Sequence, residues 1–182
     1  TRSTTVTGVQ TCALPTFLQV GLMNIFVLHE DAIEAADMYC DKHVPKMVLE
    51  LAQMLTTAHH AHGVARDGMY KVAHLNHPCS KWVRETGGNY RWAYHHFVRL
   101  AFNYWWRFGK MHKSYADHSI RLIRPPEPIV SDTSMTDFAQ AMPDEYKDED
   151  AVTAYRTYYI NDKQRFAKWE KGVPTPDWWP ND

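Results

Sequence analysis

DKHVPKMVLELAQMLTTAHH, residues Asp41 to His60, reads as one amphipathic helix. Asp41 can cap it or sit just before the cap. Pro45 fits the first turn, where its missing N–H costs nothing. Val44, Met47, Val48, Leu51, Met54 and Leu55 recur at helical spacing and form a stripe to be buried. Lys46, Glu50, Gln53 and Thr57 fall four, three and four residues apart, so they line one edge. His43 lies two turns before Glu50, roughly in register with it. Such an edge is either a solvated surface or the polar wall of a cleft.

Working outward, helical patterns dominate, and the expectation is an all-α, single compact helical domain. Asn24–Leu28 is a short strand or extended lead-in. Asp31 can cap a short helix to Cys40. After the Asp41 helix come a loop, His62–Gly68, and an extended connection, Met69–His77. Pro78 opens a short helix that Gly87 and Gly88 should stop. Asn89 can then cap a long helix to about His112, with aromatics on so many faces that it should be central. A short helix over Ala116–Ile123 follows. Pro125, Pro126 and Pro128 force an extended linker. Thr136–Met142 is a turn or short helix. Asp148 to about Lys171 reads as the last helix, and VPTPDWWPND is an extended tail rich in Pro and Trp.

Residues 1–22 are Thr-rich and aperiodic, and TTVTGVQTCALP looks like translated adaptor sequence from a metagenome assembly. They are read as a non-native or disordered extension, with the domain spanning 23–182 and Met23 its natural start. They lack the charged start and long apolar core of a signal peptide.

The chain has 182 residues and 45% hydrophobic residues, enough for a real core. Three cysteines at no metal-like spacing argue against a disulfide framework and for a reducing cytoplasm. No apolar run is long enough to span a bilayer. The net charge is −1, but it is unevenly placed. Lys81 to Arg124 carries nine basic residues against two acidic, and Glu127 to Asp150 carries eight acidic against one basic. A basic face suits a phosphate backbone, because neutralising phosphates releases counterions. The alternative is that the two segments pair with each other or face water. In the last helix Tyr155, Tyr158, Tyr159, Phe166 and Trp169 alternate with Arg156, Lys163, Arg165, Lys168 and Lys171. They can stack on unpaired bases or dock on the core.

Eleven histidines give no known ligand signature, and neighbours such as His95 and His96 diverge by about 100° on a helix. No metal site and no cofactor are expected. There is no Gly-x-Ser-x-Gly, Walker or dinucleotide loop.

MNIFVLHED, DKHVPKMVLELAQML, NHPCSKWVRE, NYRWAY, RFGKMHKS and FAQAMPDEYKDEDAVTAYRTYYINDKQRFAKW resemble a family of small, largely uncharacterised tailed-phage proteins, from Met23 to about Trp179. That resemblance implies the cytoplasm of an infected bacterium and supplies no activity. The layout is also similar to the phage pyrimidine-dimer DNA glycosylases of the endonuclease V type. Those enzymes carry an Asp-x-His followed by a catalytic Glu in a Glu-Leu pair, matched here by Asp41, His43 and Glu50-Leu51. Their later aromatic and basic helix and Tyr-rich segment resemble His77 onward and Tyr155 to Tyr159. They use the α-amine of a Thr exposed by Met removal, with the carboxylate steering protons through an imine. Here Asn24 follows Met23, Met is not readily trimmed before Asn, and no amine sits there while residues 1–22 are attached. The nucleophile must then be another group, such as a Lys. The near-neutral charge also departs from a strongly basic glycosylase.

The resulting expectation is a DNA-processing enzyme acting on damaged or modified bases, with Glu50 as acid/base and His43 and Lys46 beside it. Arg84, Arg91 and Lys110 would contact phosphate, with His77 and Arg156 as further substrate contacts. A flipped damaged base would supply selectivity. The alternative is a small-molecule or nucleotide binder, including one that sequesters or alters a host signalling nucleotide. Its pocket would lie between the two main helices, lined by Gln53, Asn76, Trp82 and Tyr94.

Overall fold

The computed structural model describes residues 24–180, which form six α-helices and, among the described residues, no strand. The proposed extension over 1–22 lies outside them. The helices are α1 (Ala32–Asp37), α2 (His43–Ala61), α3 (Pro78–Val83), α4 (Gly87–Phe108), α5 (Lys113–Leu122) and α6 (Ala151–Lys163). The fold is all-α, as the periodicity predicts. No helix of the described residues is long and apolar enough to cross a membrane.

Helix α2 packs against α3, α4 and α5, and α1 packs against α4. The stripe read from the sequence is the α2 contribution to the core: Val44, Met47, Val48, Leu51, Met54 and Leu55 are all buried. Asp31 caps α1 by accepting from the backbone N–H groups of Ile33 and Glu34. Asp41, in contrast, does not cap α2. Its carboxylate is taken by Arg107 and by the backbone N–H of Glu170, and the cap position of α2 falls on Lys42, which makes no side-chain cap bond.

Gly87 and Gly88 open α4 rather than ending α3. Thr86 is the cap, accepting from the Asn89 N–H, while Asn89 bonds the Trp82 carbonyl and Thr136. The reason lies in the linker. A Cβ at Gly88 would stand 2.0 Å from the Ser134 carbonyl oxygen, and one at Gly87 2.3 Å from that of Ile129. The glycines let the acidic linker cross the start of the basic helix at backbone contact. Gly88→Ala should therefore cost about 1–3 kcal/mol through overpacking, read as a lower urea midpoint. An unchanged midpoint would show that the linker is free to move aside.

Helix α4 ends at Gly109, whose φ of 68° suits a left-handed cap. Helix α6 ends at Lys163, eight residues short of the expected Lys171, and Asp150 caps it. The chain beyond turns back as extended structure. Trp169 donates to the Met38 carbonyl, and Trp178 and Trp179 pack edge-on against Tyr159. Residues 136–142 form neither the expected turn nor a helix but run extended over α3 and α6.

Candidate functional site

The polar edge of α2 is neither a solvated face nor an open cleft wall along its length. Chain from elsewhere covers it. Thr57 is buried, and its hydroxyl bonds both the N–H and the carbonyl of Ala73. Gln53 is half-buried. Glu50 is only 4% exposed, covered by the lead-in that begins at Asn24. Lys46 remains 48% exposed at its side chain.

Among the described residues, the Glu50 carboxylate has two partners. One oxygen accepts the backbone N–H of Asn24 at 3.2 Å, and the other lies 3.2 Å from Lys46 Nζ. Burial pushes its pKa up, and the Lys46 charge and the Asn24 N–H pull it partly back. Burial thus favours the protonated carboxyl more than water would, which is the direction an acid/base group needs. Asn24 is itself anchored. Its Nδ2 donates to the Ala141 carbonyl at 2.8 Å, and its Oδ1 accepts from the Tyr155 hydroxyl at 3.0 Å and the Cys79 thiol at 3.5 Å. Cys79 is fully enclosed, and burial pushes its thiol up to about 12, so it is no nucleophile.

His43 is a neighbour of a different kind. Its ring stacks on Phe26 at 4.8 Å, and Nδ1 lies 2.7 Å from the Tyr159 hydroxyl. Burial first, then Lys163, Lys46 and Lys42, push its pKa down to about 3. It is neutral at pH 7 and part of the aromatic core, not a cationic partner of Glu50. His59 and His96 are likewise held near 4 by burial. All three sit below the ordinary 6.5, so the unfolded chain binds protons that the fold refuses. Each contributes stability at neutral pH that falls by up to about 1.4 kcal/mol per pH unit below pH 6.5, down to its own folded value. Glu50, shifted upward, works in the opposite direction. Urea midpoints should drop steeply from pH 6.5 to pH 4; a flat profile would mean the rings are solvated.

The expected phosphate contacts do not gather at Glu50. Arg84 donates to the Leu75 carbonyl, Arg91 to those of Val130 and Asp132, and Arg156 to that of Leu28. Guanidinium groups fork readily onto carbonyls at loop crossings, and these three secure connections. Lys110 is exposed at the far end of α4. Trp82 is core, donating to the Thr136 carbonyl, and Tyr94 donates to that of Ser119. His77 caps α3, and Asn76 is exposed in the preceding turn. The two main helices, α2 and α4, pack directly on each other. The concavities present include one lined by Asp37, Arg99, Phe102, Trp106 and the tail prolines, and another by Tyr70, His118 and Arg121.

Sequence reading missed Asn24, Tyr155 and Cys79 as parts of the Glu50 cluster. Tyr155 was visible only as one of three tyrosines on a helix face. Asn24 carried no signal beyond its place after Met23. Among the described residues no group of three or more His, Cys, Asp or Glu could hold a metal ion. Compared with family models, curated proteins and solved structures, the chain has no match in any of the three.

Proposed function

We propose that this chain is a phage DNA-processing enzyme of the glycosylase/lyase type, with Glu50 as its acid/base. One observation carries the reading. The motif residue Glu50 is buried, its pKa is raised, and it contacts both the backbone nitrogen of residue 24 and an accessible amine, Lys46. In the resembled enzymes a carboxylate serves an N-terminal amine in that relation. Here the Asn24 nitrogen is an amide, whose delocalised lone pair does not attack carbon. Lys46 therefore takes the nucleophile's role.

Glu50 removes a proton from the Lys46 ammonium, and the amine attacks the sugar C1′ as the glycosidic bond breaks. The departing base takes that proton from Glu50, which returns to the carboxylate. The attached nitrogen gives one proton to the ring oxygen as the ring opens, leaving a protonated imine between Lys46 and C1′. Glu50 can then accept the C2′ proton as the 3′ phosphate leaves, and water releases the amine. Such a site needs the target nucleotide out of the stack, which costs least for a damaged base.

A gel shift with ultraviolet-irradiated duplex, paired with a strand-cleavage assay, tests the reading. Affinity should fall steeply as salt rises, and cleavage should exceed that of undamaged duplex. Absence of binding at low salt overturns it. Binding of a free nucleotide without any of duplex would favour the small-ligand alternative instead.

A further inference from the structure

We infer that Tyr155, on α6, is a positioning residue for the Glu50 site: its hydroxyl fixes Asn24, which in turn holds the Glu50 carboxylate. This rests on the role given to Glu50 above.

Tyr155 is fully buried, and phenylalanine would fill the same space. Its hydroxyl is therefore the part that needs explaining. The oxygen lies 3.0 Å from Asn24 Oδ1 and 2.6 Å from the Ala139 carbonyl, and it accepts the Ala141 N–H at 3.1 Å. The carbonyl of Ala141 receives the Asn24 amide. The hydroxyl thus contacts Asn24, the loop segment that grips Asn24, and the Cys79 thiol, which itself donates to Asn24. One phenolic proton serves two acceptors, so it is shared between Asn24 and the linker. The clamp joins α6 and the acidic linker to the residue whose N–H reaches Glu50.

The side chain of Asn24 is held by Ala141, Tyr155 and Cys79, and its backbone nitrogen points to Glu50. Loosening the side chain withdraws an N–H donor from a desolvated carboxylate. The groups acting on Glu50 are then Lys46 on its own helix, and Cys79 and Tyr39 nearby, both neutral.

The test is Tyr155→Phe with the Glu50 carboxyl carbon followed by NMR titration. The Glu50 midpoint should rise by on the order of one pH unit with cooperative unfolding retained. The acidic limb of the strand-cleavage profile should move with it. Asn24→Ala should give the same rise, and combining the two should add little. An unchanged midpoint in Tyr155→Phe overturns the inference. Should that variant not fold, an unchanged midpoint in Asn24→Ala overturns it. Because the titration needs no substrate, a wild-type protein inert toward DNA removes the functional reading while leaving this one decided by the midpoint.

Discussion

Arg107→Ala is expected to lower the unfolding free energy by about 3–5 kcal/mol. The guanidinium is wholly enclosed. It donates to the Tyr39 carbonyl at 2.7 Å, to Asp41 Oδ1 at 3.0 Å and to the Asp37 carbonyl at 3.4 Å. Asp41 extends the network to the tail, accepting the Glu170 N–H at 2.7 Å while its own N–H donates to Lys168 at 2.8 Å. One side chain on α4 thus ties the end of α1, the approach to α2 and the returning tail. Alanine leaves a cavity, two unpaired carbonyls and a mostly buried carboxylate without its countercharge. Arg107→Lys should recover little, because a single ammonium cannot match the planar fork. Urea unfolding decides it: a loss under about 1 kcal/mol would mean the pair is effectively solvated.

Glu50→Gln is expected to reduce strand cleavage by about 10²–10⁴-fold with DNA affinity retained. Glutamine keeps the shape and can still accept the Asn24 N–H, but it cannot take up a proton. The stability effect has the opposite sign from that at Arg107. Burial raises the Glu50 pKa, so the ionised form costs stability above the ordinary carboxyl range, and a neutral amide relieves that cost. Glu50→Gln should thus be at least as stable as wild type near pH 7. A variant markedly less stable, with cleavage intact, would make the Lys46–Glu50 pair architectural.

The helical fold and the central pair of helices were legible because their periodicity is strong. Val44 to Leu55 repeat on one face, and the aromatics of α4 leave few polar faces. Boundaries were lost where tertiary contacts outweighed local signals. Asp41 is a good cap in isolation, but Arg107, sixty-six residues away, claims its carboxylate. Gly87 and Gly88 look like a helix stop until the linker is seen lying on them. The charge asymmetry was real in the sequence but is partly consumed in the fold. Arg91 secures the acidic linker, Arg99 forks onto Asp37, and Arg124 pairs with Glu127. Of the candidate site, Glu50 and Lys46 were legible from one helix edge. Asn24 and Tyr155, 131 residues apart, meet only through packing, which no spacing rule encodes.

The most direct test is borohydride reduction during incubation with a duplex carrying one abasic site. An imine between Lys46 and the sugar would be reduced to a stable protein–DNA adduct, abolished by Lys46→Ala and reduced in Glu50→Gln, with the modified peptide containing residue 46. Strand cleavage without any borohydride-dependent adduct, or an adduct that survives Lys46→Ala unchanged, would contradict the chemistry assigned to this pair.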